Sequence, residues 1–433
     1  MRWPLFFFLL RRNALRRTRR TFALKRNEMK RFGLVAIGAV SVAGSALAQQ
    51  ALHGVWVLNE GYGDALTGEV FAPVEVGHFD VATATYEAVA VVEGAAFASD
   101  LIATPMGIYV AAQGQILRYH QDTGELLASV PFEGGRRLAL HEDRVYVSRG
   151  DFDQVTWEPV AFDSYLVWLD AITLEWEGSL SVEEGPQFAC EGIQAVGGEV
   201  FVAVNNGFAW GNEVGRVGRF SPVTGEYVEY DLGEAGKNPV HLLERDGVLY
   251  TVNNGDWSTT SLSRVDVAGG EVLTVPVEAA AAGCNAASFV DDRLAFQVSG
   301  EFEVRTVELD GLESQGAWGA TTAGFYALAE DPLSGRVYAS ETDWFSYGVV
   351  HVFESDGTEA FSFDCGVSPG VLAMDIRTLS NVAPPLGSDG QRVVARYDVT
   401  GRLIEPQAEF NGPVIERLED GTSRKRWSAS LPR

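Results

Sequence analysis

VLYTVNNGDWSTTSLSRVDVAGGEVLTVPV, residues Val248–Val277, alternates short apolar runs with turn-forming residues. The runs Val248–Val252, Leu262–Val267 and Glu271–Val277 are rich in β-branched and aromatic side chains, which predicts three strands. A polar loop, Asn253–Trp257, separates the first two strands. The turn at Ala268–Gly270 follows Asp266, and Asp and Gly favour tight turns of this kind.

The opening strand of this unit recurs along the chain. Seven copies begin, at a mean step of about 47 residues, at Gly54, Gly107, Arg144, Glu199, Gly247, Arg293 and Arg336. The turn also recurs, for example as Asp122-Thr-Gly-Glu, and another strand precedes most copies. A period of 40–50 residues with four short strands is typical of a β-propeller blade.

The two ends of the repeat region complement each other. Val371–Asp375 is a leading strand with no blade after it, whereas Gly54–Val92 has three strands and no leading strand. Joining them completes one blade and removes exposed sheet edges. The sequence therefore predicts an all-β fold, a seven-bladed β-propeller over residues 49–378 that is closed by strand exchange between the termini, followed by a small C-terminal β element.

Residues 1–48 have the composition of a secretory signal peptide. Basic residues after Met29 precede an apolar run, Phe32–Ala46, and Ala46-Leu47-Ala48 resembles a cleavage site. A true start at Met29 explains the arginine-rich residues before it better than a twin-arginine signal does. The apolar run is too short to span a bilayer, and no other segment is apolar enough. We expect a secreted chain, extracellular or at the outer cell surface.

The predicted mature chain is strongly acidic. Residues 1–48 hold 11 of the 33 basic and one of the 59 acidic residues, so 22 and 58 remain and the net charge is −36. Such a surface repels phosphate backbones, which disfavours nucleic acid and anionic membranes as partners. Solubility in a salty medium explains this charge better than an acidic functional patch does.

The cysteines and histidines show no metal-binding spacing. Cys190, Cys284 and Cys365 permit either one disulfide with a free thiol or three inert thiols, and their pairing stays open. All three are predicted in loops that precede leading strands. We therefore predict no metal centre from these residue types.

The repeat resembles the YVTN-type, surface-layer-like propeller repeats of bacterial surfaces. Tyr250-Thr-Val-Asn-Asn, Val202-Ala-Val-Asn-Asn and the Asp-x-x-Thr-Gly-Glu turn carry this resemblance over about residues 51–378. It implies a protein that binds or displays. A minority of related propellers are lyases, lactonases or quinoproteins, which makes enzymatic activity an alternative.

A second resemblance concerns the C-terminus. A linker is predicted at 379–390, and residues 391–433 resemble the type IX secretion (Por) sorting domain of Bacteroidetes-like bacteria. Tyr397, Asp398, Gly401, Arg402 and Leu403 carry the motif, although the Tyr-Pro-Asn-Pro opening is absent. The resemblance implies the type IX machinery as a partner. A short β-meander packed on the propeller is the alternative.

In a propeller, the loops after the second strand of each blade share one face with the loops that precede the leading strands. The first set concentrates aromatic residues beside Asn and Asp, which favours a binding face. The candidate ligand-binding residues are Asn59, Glu60, Tyr62, Arg149, Asp151, Asn205, Asn206, Trp210, Asn253, Asn254, Trp257, Asp343 and Trp344. The alternative is that Asn-Asn-Gly is turn chemistry and that each Trp caps the core between blades.

We expect a non-catalytic binding protein for a small molecule, a glycan or a surface protein. No Gly-x-Ser-x-Gly motif, metal-spaced His pair or phosphate loop is present, so no catalytic residue is assigned. A propeller enzyme with a metal or cofactor in the channel, and a structural surface-layer component, remain alternatives. Carboxylates that could converge on the channel are candidate ligands for Ca²⁺, which prefers oxygen donors; they are Glu60, Asp151, Asp256, Glu341 and Asp343. His241 is a candidate channel residue.

Overall fold

The computed structural model of the protein describes residues 50–64, 67–278, 280–283, 286–378, 393–398, 403–404, 412–418 and 423–428. In chain order the first strands are β1 (Gln50–Asn59), β2 (Tyr62–Asp64), β3 (Glu69–Ala72), β4 (Val74–Asp80), β5 (Thr85–Val92), β6 (Ala98–Thr104), β7 (Gly107–Ala112), β8 (Gln115–Tyr119), β9 (Leu126–Pro131), β10 (Gly135–His141), β11 (Arg144–Arg149), β12 (Leu166–Asp170), β13 (Trp176–Leu180), β14 (Cys190–Val196), β15 (Glu199–Val204), β16 (Arg216–Phe220) and β17 (Tyr227–Asp231). They continue with β18 (Pro239–Arg245), β19 (Val248–Asn253), β20 (Thr260–Asp266), β21 (Val272–Glu278), β22 (Ala287–Val290), β23 (Arg293–Gln297), β24 (Val304–Glu308), β25 (Ser314–Ala317), β26 (Phe325–Glu330), β27 (Val337–Glu341), β28 (Tyr347–Phe353), β29 (Glu359–Val367) and β30 (Pro369–Thr378).

These strands form seven four-stranded antiparallel sheets. Blade 1 has the order β30-β1-β4-β5, and blades 2 to 7 use β6–β9, β10–β13, β14–β17, β18–β21, β22–β25 and β26–β29 in sequence order. The predicted seven-bladed β-propeller is therefore confirmed. The stretch Val248–Val277 supplies three of the four strands of blade 5.

The inner strands are buried on both faces because neighbouring side chains point to opposite sides of a strand. In β7, Ile108 and Val110 pack against blade 1, while Tyr109 and Ala111 pack against blade 3. Burying a side chain of the size of Ile108 or Val110 contributes about 2 kcal/mol. Across the described residues, seven apolar clusters lie one at each junction between adjacent blades, the junction of blades 7 and 1 included. Seven blades with seven junctions form a closed ring.

The ring closes through strand exchange, as predicted. The last strand of the propeller, β30, pairs with β1 from Gln50↔Thr378 to Asn59↔Pro369, so it is the innermost strand of the first blade.

The recurring Asp turn owes its shape to the Asp side chain. Asp266 Oδ1 accepts hydrogen bonds from the backbone N–H groups of Ala268 and Gly269, at 2.9 and 3.0 Å. Gly270 then adopts a φ of 71°, which glycine tolerates and other residues resist. This chemistry explains why the turn is recognisable in the sequence.

Six of the seven innermost strands carry a β-bulge at the end where they begin. The bulged positions hold Ser99, Arg136 and Arg137, Glu191 and Gly192, Val240, Tyr326, and Gly370. A bulge inserts a residue into a strand and re-aims its side chain. Buried serines of the second strands satisfy the bulged backbone: Ser148 Oγ accepts from Arg137 N at 3.0 Å and donates to Glu191 O at 2.6 Å.

Other elements differ from the sequence expectations or add to them. The hairpin β2–β3 is inserted between β1 and β4, where a loop was expected. Cys190 begins the strand β14 and Cys365 lies in the outer strand β29, so neither is in a loop as predicted, and both are buried free thiols. Cys284 lies outside the described residues. The described part of the chain contains one short 3₁₀ turn, Glu234–Gly236, and no helix long and apolar enough for a membrane crossing.

The C-terminal element is also built of strands. β31 (Val393–Asp398), β32 (Gly412–Leu418) and β33 (Ser423–Ser428) form a three-stranded antiparallel sheet. Tyr397 and Asp398 belong to β31, and Leu403 is exposed, whereas Gly401 and Arg402 lie outside the described residues. The predicted signal peptide, 1–48, and the linker, 379–390, also lie outside them.

Candidate functional site

A cavity of about 500 Å³ lies on the ring axis, at the face where the innermost strands begin. Every blade contributes to its wall through its innermost strand. The strand residues concerned are Ala98 and Ser99, Arg136 and Arg137, Glu191, Val240 and His241, Ala287, Tyr326 to Leu328, and Gly370 to Leu372. The two sets of loops therefore meet around the channel mouth, as predicted.

Aromatic side chains form the rim of this cavity on the side of blades 3 to 5. Phe152 stacks on Trp157 and on Phe208, with ring centroids 5.5 and 5.8 Å apart. Trp210 and Trp257, from the corresponding loops of blades 4 and 5, also line the cavity. Trp157 is 63% exposed, Trp210 74% and Trp257 39%. Large apolar rings left in solvent at the mouth of a cavity are typical of binding surfaces.

Two of these tryptophans have left-handed backbone conformations. The φ angles of Trp157 and Trp257 are 63° and 65°, and such angles are strained for a bulky residue. Trp157 ends a turn begun by Asp153, whose backbone oxygen accepts from Trp157 N at 2.8 Å. The Asp turns of the blade hairpins mostly place glycine at this position, for example Gly270. A tryptophan at a turn position that favours glycine indicates that the tryptophan side chain is required at this position.

Two ion pairs occupy the inner wall of the cavity. Arg136 Nη2 lies 2.7 Å from Glu191 Oε1, and the guanidinium carbon of Arg136 lies 5.3 Å from the ring centre of Phe208. Arg137 donates to Ser99 O at 2.6 Å and lies 3.5 Å from Asp100 Oδ1. Burial raises the pKa of Asp100, and Arg137 opposes that rise. Burial alone would lower the pKa of Arg137, but nearby carboxylates, Asp100 foremost, outweigh it and raise it.

Glu60 is the third carboxyl group of the wall. Its Oε2 accepts a hydrogen bond from the Tyr326 hydroxyl at 2.9 Å. Burial raises the pKa of Glu60 from 4.5 to about 7, against the hydrogen bond from Tyr326 and the charges of Arg137 and Arg136. A Cβ added to Gly370 would collide with Oε1 of Glu60, so the carboxylate occupies the space that this glycine leaves open. Glu60 thus titrates near neutral pH inside the cavity.

Four of the thirteen candidate binding residues line the cavity, namely Glu60, Asn205, Trp210 and Trp257. Asp151 is half-buried beside it, and burial raises its pKa. Trp344 contacts the wall residue Tyr326 edge to face at 6.1 Å, and Tyr62 packs on Phe71 and Phe345 at the rim of blade 1.

The remaining candidates support the loops themselves. Asn59 Nδ2 donates to the Tyr86 hydroxyl at 2.7 Å, Asn253 Nδ2 donates to Ser261 and Ser263, and Asn254 exchanges two hydrogen bonds with Gly283. Asn206 binds the Asn212 carbonyl, and Asp343 caps its own turn through Phe345 N and Ser346 N. Arg149 lies over the Phe162 ring at 4.0 Å. The contacts of the asparagines agree with the alternative interpretation, in which the Asn-Asn-Gly residues stabilise turns.

The carboxylates proposed for Ca²⁺ lie apart. Glu60 faces the cavity, while Asp256 accepts from Ser258 and Glu341 from His351 at 3.0 Å. Within the described residues, the set whose potential ligand atoms lie within 4.8 Å of one another is His53, His78 and Asp375, near the opposite end of blade 1. Arg377 already donates to both oxygens of Asp375. A cation there would have to displace this guanidinium.

The sequence did not point to Arg136, Arg137, Glu191 and Tyr326, because the candidate residues were sought in the loops and not in the leading strands. A signal was present, since each of these polar residues stands at the start of a run that is otherwise apolar, as in Arg136-Arg137-Leu138. A charged residue on the innermost strand of a blade lies next to the central channel. His241, considered as a channel residue, does line the cavity.

No protein-family model and no curated protein sequence matches the chain. Among solved structures, it is similar to a hypothetical selenium-binding protein from Sulfolobus tokodaii, with a TM-score of 0.54 and 12% identity over 75% of this chain and 94% of that one. The extracellular domain of a putative one-component system from B. thetaiotaomicron matches with a TM-score of 0.48 and 14% identity over 84% of this chain. A second structure of such a domain, from a putative hybrid two-component system, gives 0.48 and 13%. The chain spans about half the length of these two, 48% of each. At these identities the likeness shows the fold alone, a β-propeller.

Proposed function

We propose that this protein is a secreted or cell-surface propeller that binds a small ligand in the cavity at the channel mouth, without transforming it. The observation that carries the proposal is the pair of rim tryptophans, Trp157 and Trp257, held exposed in strained conformations. Strain persists where the surrounding structure enforces it, and it concentrates at binding and catalytic sites. The cavity volume of about 500 Å³ is within the range of small-molecule sites.

The chain provides a matched pair of variants to test this site. Trp210 and Trp257 line the cavity, whereas Trp176, on the outer strand β13, is similarly exposed but does not. A thermal-shift screen of the chain from residue 49, using small metabolites and oligosaccharides, identifies the ligands to test. The double variant Trp210→Ala/Trp257→Ala should then weaken binding at least about tenfold, and Trp176→Ala should leave it within about twofold. A ligand that binds the double variant as tightly as the wild type would place the site elsewhere.

Catalysis at the same cavity is a second candidate, favoured by Glu60. A carboxyl group with a pKa of about 7, hydrogen-bonded to a tyrosine, is suited to general acid–base work near neutral pH. A lyase or lactonase mechanism would then require Glu60 for turnover as well as for binding. Product analysis of each ligand after incubation with wild type and Glu60→Gln separates the two functions. Elemental analysis and an absorption spectrum of the purified protein test for a metal or quinone.

Delivery to the cell surface by type IX secretion is part of the proposal. The motif residues Tyr397 and Asp398 lie in the three-stranded C-terminal sheet, which supports a separate small β element. Removing residues 379–433 should leave the propeller folded but retain it inside a type IX-competent host. Export of the truncated chain at the normal level would eliminate the sorting role of the tail.

A further inference from the structure

Within the described residues, both arginines of the cavity wall form ion pairs, whereas Glu60 does not. Arg136 pairs with Glu191 and Arg137 with Asp100, so each guanidinium has its own carboxylate. Glu60 takes part in no ion pair among the described residues and accepts only the hydroxyl of Tyr326. The Oε2 atom of Glu191 is also buried, and it accepts no hydrogen bond from the described residues. The wall therefore has more acceptor capacity than its own donors satisfy.

The groups around Glu60 come from several blades. Tyr326 of β26 donates to it, Arg136 and Arg137 of β10 attract its ionised form, and Asp100 of β6 repels it. His241 and Glu191 line the same cavity. Despite the two arginines, burial keeps the pKa of Glu60 at about 7. A cation bound beside it would remove this penalty and hold it ionised.

The rim fits the same kind of ligand. Trp157, Trp210 and Trp257 line the cavity, and aromatic rings attract cations as well as apolar groups. The whole chain carries a net charge of −26, which concentrates cations and repels anions at the mouth. An anionic ligand would face this field and Glu60 together, while the guanidinium groups of Arg136 and Arg137 are already paired with carboxylates.

We propose that the cavity selects organic cations, with an ammonium or guanidinium group beside Glu60 and an apolar body against the rim tryptophans. This inference rests on the proposed binding function and specifies the class of its ligand.

Three probes of similar size test the charge preference. Phenyltrimethylammonium, its neutral isostere tert-butylbenzene and the anion benzenesulfonate are titrated into the protein, with tryptophan fluorescence and calorimetry as readouts. The cation should bind at least about tenfold more tightly than the isostere at pH 8. Its association constant should fall about tenfold per unit below pH 7, because protonation of Glu60 competes with the ligand. Glu60→Gln should abolish the pH dependence and reduce the cation preference to the part that the rim tryptophans supply, without changing the binding of tert-butylbenzene. Glu87→Gln, on the outer strand of the same blade, should change neither effect.

The outcomes distinguish the inference that the ligand is a cation from the proposal that the cavity is the binding site. Equal binding of cation and isostere, or preferred binding of benzenesulfonate, overturns the cation inference while leaving the cavity as a site. A cation preference that is as strong in Glu60→Gln as in the wild type also overturns it. Failure of all three probes to bind, in wild type and in both variants, overturns the inference and counts against the cavity itself. Gly370→Ala provides a second variant, since its new methyl group displaces the Glu60 carboxylate and should reduce cation affinity as Glu60→Gln does.

Discussion

His78 Nε2 lies 3.3 Å from Oδ2 of Asp375, although the two residues are 297 positions apart in the chain. Asp375 is on the C-terminal strand β30, and it also accepts hydrogen bonds from Gln121 of blade 2 and from Arg377. Arg377 in turn pairs with Asp122. This carboxylate therefore fastens the last strand of the ring to the first blade and to its neighbour.

Replacing Asp375 by Asn should destabilise the propeller by about 3 kcal/mol, because it leaves Arg377 and two further donors around a buried neutral group. Urea unfolding followed by fluorescence measures the change in the free energy of unfolding. Asp292→Asn, at an exposed turn, should stay within about 0.5 kcal/mol. Equal effects of the two substitutions would show that Asp375 does not fasten the strand.

The same carboxylate predicts a dependence on pH. Burial alone would raise the pKa of Asp375, but hydrogen bonds from His78 and Arg377 outweigh it and lower the pKa from 3.8 to about 2. A lowered pKa gives stability that is complete above about pH 4 and is lost as the pH falls towards 2. We expect wild type to lose about 2 kcal/mol more than Asp375→Asn across this range. Parallel curves for the two proteins would contradict the prediction.

The raised pKa of Glu60 predicts the opposite dependence of stability on pH. Because its pKa in the folded protein is raised to about 7, folding is penalised once the pH rises through the interval from 4.5 to 7. Glu60→Gln should therefore stabilise the protein by about 2 kcal/mol at pH 8 and have little effect at pH 4.5. Denaturant unfolding at the two pH values checks this. A destabilised variant at pH 8 would mean that the Tyr326 hydrogen bond outweighs burial.

The strained tryptophan predicts a gain of stability on mutation. Trp157 is mostly exposed and has a left-handed backbone, so Trp157→Gly should stabilise the fold by about 0.5–1 kcal/mol while weakening ligand binding. Leu174 has the same conformation, with a φ of 59°, but is completely buried. Leu174→Gly should therefore destabilise the fold by about 3 kcal/mol. Thermal unfolding of the two variants measures both signs.

Closure of the ring predicts that the chain must extend through β30 in order to fold cooperatively. A chain ending at residue 368 lacks β30, so blade 1 loses its innermost strand and the apolar core between blades 7 and 1 is exposed. It should unfold without cooperativity and aggregate, whereas a chain ending at 378 should unfold in one transition. Light scattering and calorimetry of the two chains make the comparison. A cooperative transition at residue 368 would mean that closure is dispensable.

The fold was predictable because its determinants are local. Period-two alternation marks the strands, and the Asp side chain that caps each hairpin, as at Asp266, is visible in the sequence. The exchange of strands followed from matching the unpaired leading strand at Val371 to the incomplete blade at Gly54. The hairpin β2–β3 was not predicted, because its short strands, such as Tyr62–Asp64, carry no clear alternation.

The candidate site was only partly predictable. The rim tryptophans stand out in the loops, and Glu60 was identified with them. The inner wall did not stand out, because Arg136, Arg137, Glu191 and Tyr326 occupy β-bulges, where alternation no longer tells which way a side chain points. Glu60 and Tyr326 are 266 residues apart, and their contact depends on ring closure.

The bulges also have a consequence for how such a protein can diversify. A residue inserted into a strand is outside the alternation that packs the cores between blades, so Ser99, Glu191, Val240 and Tyr326 can be exchanged without altering those cores. Six blades each supply such a position around one axis. Evolution, or a combinatorial library built at these positions, can therefore search ligand specificities while the apolar cores between the blades stay unchanged.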